Sequence, residues 1–260
     1  MLMIAIIGAV ISGIIMWVGN SAYKQGKPWG QLVAIIFGVL AIGMGLWAVA
    51  LNVTGGGNAG AVSKEIGYQR ARAEKVGQYV AQNFKDKKIL ILTMGDYKDN
   101  NGKVIENHLL TGLQKGLGGI NAEILRRPVP EEGSDEAMEE MEWRQKHLDN
   151  LLQGKDAKGK DIPGYSPVGD FDLVITTIGL PEDAIRGGKP TGKLAGKSIA
   201  IVQGYTEKWA GAFKTKAIVV AAIDKQYPGE GNAAGLKEWE QNPPADLDKA
   251  FNVRYTLKTN

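Results

Sequence analysis

Two long apolar stretches dominate the first 53 residues and most constrain what this chain can fold into. Residues 1–18 and 32–53 contain no charged side chain, and a polar link that includes Lys24 and Lys27 separates them. At about 1.5 Å per residue each stretch forms a helix of roughly 27–33 Å, which matches the hydrocarbon core of a membrane. The pattern therefore predicts a two-helix transmembrane hairpin over residues 1–53.

Small residues recur along both stretches at spacings that place them on one helix face. Such spacing lets helix backbones approach closely, either within the hairpin or between subunits. The predicted helix-packing residues are Ala5, Ala9, Gly13, Ala34, Gly38, Ala41 and Gly45.

Basic residues near the stretches predict how the chain is oriented. Lys24 and Lys27 favour a cytoplasmic link, because basic residues close to membrane spans are retained on that side. We therefore expect an integral membrane protein, in the bacterial inner membrane, with its C-terminal domain in the periplasm.

Charge and cysteine content exclude several function classes. Of the 31 basic residues only Lys24 and Lys27 precede Thr54, whereas all 28 acidic residues follow it, so the remainder carries +1. A nearly neutral domain argues against a nucleic-acid partner. The chain has no cysteine, which excludes thiol catalysis, disulfides and cysteine-ligated metals.

The remainder of the chain predicts a Gly-rich linker at residues 54–61 and a soluble α/β domain at 62–260. Amphipathic helices alternate with short apolar runs, which is typical of a mostly parallel, five-stranded sheet with helices on both faces, Rossmann-like or flavodoxin-like. The predicted strands are Ile89–Met94, Ala122–Arg127, Phe171–Ile178, Ser198–Val202 and Lys216–Ile223. The predicted helices cover 62–84 and Glu106–Leu117, and a third, acidic at its start, begins after Ser134. Alternation at Phe251, Val253, Tyr255 and Leu257 predicts an edge strand.

A resemblance to a known family lies in Lys88–Leu117 (KILILTMGDYKDNNGKVIENHLLTGLQKGL) and in Phe171–Asp183 (FDLVITTIGLPED). Together with the strand and helix between them, these segments resemble the first lobe of a type I periplasmic sugar-binding protein. The resemblance covers roughly residues 88–224. It implies a ligand pocket, of which a second lobe from another chain would supply half.

No catalytic or cofactor motif withstands inspection. The turn from Gly192 to Ser198 lacks one residue of a phosphate-binding loop and precedes a strand instead of following one. The loop 96–102 does not place acids where a calcium loop needs them, since His108 falls at the twelfth position. His108 and His147 lie on different predicted helices. We expect no cofactor, no metal and no catalytic residue, and the sequence leaves enzyme activity open while favouring a non-catalytic role.

A small-molecule site in such a fold lies beyond the carboxyl ends of the parallel strands. Polar residues and glycines follow several of the predicted strands there. The candidate ligand-binding residues are Thr93, Gly95, Asp96, Thr176, Thr177, Gly179, Gln203, Tyr205 and Asp224.

Two functions follow from these features. The first is a non-catalytic structural subunit of a larger membrane complex, in which the hairpin contacts the lipid bilayer and other subunits or a second copy, and the α/β domain contacts proteins. The second is a membrane-tethered ligand-binding or sensor subunit that uses a single lobe.

Overall fold

The computed structural model describes residues 2–25, 27, 29–38, 40, 58–98, 101–129, 143–229 and 232–260. The chain divides into two compact units, Met1–Glu65 and Ile66–Asn260.

The first unit contains a pair of closely packed helices, α1 (Leu2–Lys24) and α2 (residues 29–38). Two glycines allow the close approach. A Cβ atom on Gly19 would lie 2.9 Å from the backbone nitrogen of Ala34, and one on Gly30 would lie 2.4 Å from that of Tyr23. Both distances are shorter than a side chain tolerates, so the two backbones meet where only hydrogen atoms fit between them.

The predicted transmembrane hairpin is contradicted. Within the described part of the chain, no helix combines the length and the apolarity that crossing a membrane requires. In α1 the apolar residues give way to Asn20, Ser21 and Lys24 before the helix ends, and only residues 32–38 and 40 of the second stretch are described. The same finding contradicts the predicted inner-membrane location and the predicted placement of the C-terminal domain in the periplasm.

The predicted helix-packing residues have different surroundings in this unit. Gly38 faces Met16, whose sulfur atom would lie 3.2 Å from a Cβ at that position, whereas a Cβ on Gly13 would meet nothing within 4 Å. Ala34 takes part through its backbone nitrogen, opposite Gly19. The side chains of Ala5 and Ala9, and residues Ala41 and Gly45, lie outside the described part of the structure.

The second unit is built on a six-stranded, mostly parallel sheet, which contains strands at the five predicted positions and an edge strand in the tail. Five strands are parallel, and the C-terminal strand joins the sheet edge antiparallel to its neighbour. The sheet strands are β1 (Ile89–Met94), β4 (Ala122–Arg127), β5 (Leu173–Thr176), β8 (Ser198–Ile201), β9 (Ile218–Asp224) and β10 (Tyr255–Thr259). Two small hairpins, β2–β3 (Tyr97–Lys98 and Val104–Ile105) and β6–β7 (Ile185–Arg186 and Lys189–Pro190), lie outside it.

The sheet order is β10-β9-β8-β5-β1-β4. Numbered along the chain, the five parallel strands therefore run 2-1-3-4-5, the order of flavodoxin-like folds. The order reverses between β1 and β5. Such a reversal opens a crevice at the carboxyl ends of the two strands.

Helices cover both faces of this sheet. They are α3 (Asn58–Asn83), α4 (His108–Leu117), α5 (Gln145–Leu151), α6 (Ala210–Lys214), α7 (Ala233–Glu240) and α8 (Leu247–Arg254), with 3₁₀ turns at Glu182–Ala184, Gly192–Leu194 and Glu207–Trp209. The buried side chains form two cores, one on each face. Residues from α3, α4 and α8 pack on one face, and residues from α5, α6 and the connecting loops pack on the other. The side chains of Ile91, Ile175, Ile201 and Val219, one from each of four parallel strands, are buried.

Several element boundaries differ from the prediction. Helix α3 begins at Asn58, inside the predicted linker. Strand β9 begins at Ile218 instead of Lys216, because Lys216 adopts a left-handed backbone conformation (φ 60°) that ends the preceding turn. Phe251 and Val253, predicted in the edge strand, lie in α8, where the Asp246 side chain accepts a hydrogen bond from the Lys249 amide and starts the helix. The acidic start of the helix predicted after Ser134 lies outside the described residues, whereas its predicted later part, with Arg144, Lys146 and His147, falls at the start of α5, which begins at Gln145.

Candidate functional site

A crevice opens where the strand order reverses, beyond the carboxyl ends of β1 and β5. Its volume is about 330 Å³, within the range of small-molecule pockets. Strand β1 and the segment before α4 form one wall, the turn after β5 and Gln203 form the other, and α3 adds Gln69. The lining residues are Gln69, Met94, Gly95, Tyr97, Ile105, Glu106, Asn107, His108, Leu109, Thr177, Ile178 and Gln203.

A chain of neutral hydrogen bonds lies beneath the crevice. The Thr177 hydroxyl donates to the Thr93 hydroxyl oxygen (2.8 Å), and the Asn107 amide nitrogen donates to the same oxygen (2.9 Å). Thr93 is fully buried and Thr177 is 2% exposed. Buried hydroxyls need such partners, because an unpaired polar group in the interior is costly. The chain therefore fixes the ends of β1 and β5 to the start of α4.

Asn107 also determines where α4 begins. Its side-chain oxygen accepts a hydrogen bond from the Leu110 amide (3.0 Å), so Asn107 is the N-cap residue of that helix. The same side chain thus uses its oxygen for the helix and its nitrogen for Thr93. This double role holds the Asn107 side chain at one position in the crevice wall.

Charged groups are paired at the rim. One nitrogen of Arg70 donates to both carboxylate oxygens of Glu106 (2.9 and 2.8 Å) and lies 3.2 Å from Nδ1 of His108. A hydrogen bond from Thr111 lowers the pKa of the Glu106 carboxyl below its ordinary value, and the Arg70 and His108 charges lower this pKa further. The positive charge of Arg70 is therefore balanced within the protein.

The turns that follow β5 and β8 contact each other through glycines. Gly179 and Gly204 both have positive φ angles (76° and 81°), and a Cβ on Gly204 would lie 2.8 Å from the Cα of Gly179. A larger residue at position 204 would push the two turns apart, and Ile178 and Gln203, which neighbour these glycines, line the crevice.

The structure brings three of the predicted ligand-binding residues together in the crevice: Gly95, Thr177 and Gln203. Thr93 lies directly beneath them. Thr176 is buried, and its hydroxyl donates to the Gly179 carbonyl oxygen (2.6 Å). These two predicted residues therefore bond to each other instead of lining the crevice.

The remaining predicted residues lie elsewhere. Asp96 pairs with Arg126 of β4, with 3.5 Å between the closest nitrogen and oxygen. Tyr205 and Asp224 line a different cavity near β10.

The sequence analysis did not single out Asn107, Gln69, Glu106 or Tyr97 as site residues. Asn107 carried a usable signal, because an asparagine just before an apolar helical repeat is a typical N-cap. Gln69 had none, since it reaches the crevice from α3, far away along the chain.

The arrangement suits hydrogen bonding to a neutral ligand. The amides of Gln69 and Gln203 form no hydrogen bond within the described part of the chain, so both can donate and accept. Among the described residues, no three histidine, cysteine or acidic side chains gather as metal ligands.

A comparison of the chain with protein-family models, curated proteins and solved structures finds no match.

Proposed function

We propose that the second unit is a ligand-binding domain that takes a small, uncharged, hydroxyl-rich molecule such as a sugar in the crevice between β1 and β5. The observation that carries this proposal is the position of the crevice at the reversal of strand order, where open α/β sheets bind their ligands.

The chemistry of the lining supports this ligand class. Side-chain amides match hydroxyl groups, because each amide offers both a donor and an acceptor. The charged groups at the rim, Arg70 and Glu106, neutralise each other, so neither a strongly acidic nor a strongly basic ligand finds an unbalanced partner there. The resemblance to a lobe of a sugar-binding protein points to the same class.

Calorimetric titration of the full chain tests this proposal. The probes are D-glucose, D-galactose, D-ribose and myo-inositol, each up to millimolar concentration. We expect at least one of them to bind, and we expect Gln203→Ala to weaken that binding by about tenfold, as the loss of a ligand hydrogen bond does.

Gln153→Ala is the matched control, because Gln153 is exposed and, among the described residues, its side chain bonds only to the Asp149 carbonyl oxygen one helical turn away. Its affinity should equal that of the wild type. Absence of binding for all four probes, or equal loss in both variants, contradicts the proposal.

A second candidate function is self-association through the first unit, with a second copy of the chain as the partner. Its α1 and α2 expose an unusually large number of big apolar side chains, including Trp17 (69% exposed), Leu32 (66%) and Ile35 (59%). The set comprises Ile11, Ile14, Met16, Trp17, Val18, Tyr23, Trp29, Leu32, Ile35, Ile36 and Leu40.

A typical monomer exposes no more than a few hundred Å² of contiguous apolar area, so this many exposed apolar side chains favour an interaction surface. A twofold interface is self-complementary and needs about 800 Å² from each copy. Among the described side chains of residues 11–40 only Lys24 and Lys27 are charged, so an apolar surface of the same kind is a suitable complement.

Sedimentation analysis of the full chain tests this second candidate. We expect an oligomer in the wild type and a monomer in the double variant Trp17→Glu, Leu32→Glu. Val104→Glu, at a half-exposed apolar position in the second unit, should leave the oligomer intact. A monomeric wild type, or binding of the wild type to phosphatidylcholine vesicles that Trp17→Glu abolishes, overturns self-association.

A further inference from the structure

A second cavity also lies at the carboxyl ends of the parallel strands. It is beside β9 and β10, whereas the crevice is between β1 and β5. Its volume is about 430 Å³, again within the range of small-molecule sites. None of its lining residues belongs to the crevice. They are Tyr205, Glu207, Ala210, Ile223, Asp224 and Lys258, and we call this site the charged cavity.

One wall of the charged cavity carries a positively charged group held by aromatic rings. The Lys258 ammonium lies 4.7 Å from the centre of the Phe213 ring and 5.5 Å from that of Tyr205. It donates a long hydrogen bond to the Tyr205 hydroxyl (3.4 Å). Lys258 is not a member of any ion pair within the described part of the chain. Two of its three N–H donors are therefore open to an acceptor.

The opposite charge comes from Glu207, because Arg72 balances the charge of the neighbouring Asp224 carboxylate. Buried Arg72 donates to both carboxylate oxygens of Asp224 (3.0 and 2.8 Å) and to the Ala222 carbonyl oxygen (2.9 Å), which fixes the carboxylate at the end of β9. The Asp224 side chain is nonetheless 66% exposed. Glu207 forms no ion pair with a described residue, so its carboxylate faces the cavity without a partner cation.

We infer that the charged cavity binds a small zwitterion, an α-amino acid with a short apolar side chain. A simple anion would meet Glu207, and a simple cation would meet Lys258, whereas a zwitterion places each of its charges opposite the complementary one. The ligand carboxylate accepts hydrogen bonds from Lys258 and the Tyr205 hydroxyl, and its ammonium donates to Glu207 and Asp224.

The apolar residues of the cavity account for the rest of such a ligand. Ala210 begins α6 and Ile223 is half-buried in β9, and both supply hydrocarbon surface between the two charged walls. A branched aliphatic side chain gains free energy by covering that surface.

Calorimetric titration of the full chain with L-valine tests the inference. Isobutylamine and 3-methylbutanoate serve as comparison probes, because each keeps the valine side chain and only one of its two charges. We expect L-valine to bind about tenfold or more tightly than either, since both charges contribute. Lys258→Met and Glu207→Gln should each weaken valine binding by about tenfold, and the thermal unfolding midpoint of each variant checks that it is folded.

Two control variants separate this site from its surroundings and from the crevice. Lys214→Met removes an exposed charge of α6 outside the cavity and should leave valine affinity unchanged. Gln203→Ala alters the crevice and should also leave it unchanged, so failure of the sugar experiment and failure of this one are distinguishable. Absence of valine binding, equal affinity for either singly charged probe, or unchanged affinity in both cavity variants overturns the inference.

Discussion

The crevice and the charged cavity both lie at the carboxyl ends of the parallel strands of one sheet, yet different interactions hold their polar groups in place. In the crevice, neutral hydroxyl and amide groups of Thr93, Thr177 and Asn107 bond to one another beneath the surface. In the charged cavity, buried Arg72 reaches from α3 to fix Asp224 at the end of β9.

The difference shows how one fold prepares two kinds of site. Neutral hydrogen bonds cost little to bury when every partner is satisfied, so they can line up along adjacent central strands. A buried guanidinium needs a carboxylate, and the edge of the sheet lets that carboxylate stay largely in water. The first arrangement suits a neutral ligand and the second a charged one.

The largest effect on stability is expected when Asp224, the partner of the buried Arg72 guanidinium, is removed. Asp224→Ala leaves the Arg72 guanidinium buried with the Ala222 carbonyl oxygen and the Tyr255 ring but without a carboxylate. We expect a loss of about 2–3 kcal/mol in the free energy of unfolding, below the value for a fully buried pair because the Asp224 side chain is mostly exposed. Urea denaturation measures it.

Asp248→Ala is the matched control, since Asp248 pairs at the surface with Lys75, which lies on α3 as Arg72 does. That variant should lose less than about 1 kcal/mol. Equal losses in the two variants would mean that burial of Arg72 contributes nothing.

A smaller effect is expected in the crevice. Thr93→Val removes the oxygen that accepts from both Thr177 and Asn107, and we expect a loss of about 1–2 kcal/mol. The double variant Thr93→Val, Thr177→Val should lose less than the sum of the two single variants, because the two hydroxyls share one hydrogen bond. Thr256→Val, at an exposed position of β10, should stay within about 0.5 kcal/mol of the wild type. Additive losses would show that the two hydroxyls act independently.

The smallest effect is expected at the crevice rim and depends on pH. The pKa of Glu106 is lower in the folded protein than its ordinary value of 4.5. Its contribution to stability is therefore present above pH 4.5 and is lost as the pH falls through the lower, folded pKa. The difference in unfolding free energy between the wild type and Glu106→Gln should shrink from pH 6 to pH 3. A difference that grows on acidification contradicts the hydrogen bond from Thr111 and the pairing with Arg70.

Local patterns predicted much of the second unit. The apolar run at Ile89–Met94 matches β1, whose first five residues are buried, and the more polar segment Ala122–Arg127 matches β4 at the edge of the sheet. Gly118, with a positive φ angle, ends α4 at the predicted residue. The tail was harder, since Ala250, Phe251 and Arg254 are buried at a helical spacing that the alternation of apolar residues concealed.

The sites could be predicted only in part. Polar residues after the strands pointed to Thr177 and Gln203, because parallel strands present their carboxyl ends at one edge. The pairing of Arg72 with Asp224 joins residues 152 positions apart, and no local pattern encodes such a contact. In the first unit, apolarity predicted a membrane span, which the structure contradicts, and the described helices approach closely at Gly19, which lies opposite the predicted Ala34, and at Gly30.

The most direct test of the crevice as a ligand site is a two-dimensional ¹⁵N–¹H NMR titration of the full chain with the sugar that binds most tightly. We expect the amide signals that shift to cluster at Gly95, Asn107, Thr177 and Gln203. Signals around the charged cavity, such as those of Tyr205 and Lys258, should stay in place. Shifts confined to the charged cavity, or scattered without a cluster at the ends of β1 and β5, would contradict a ligand site at the reversal of strand order.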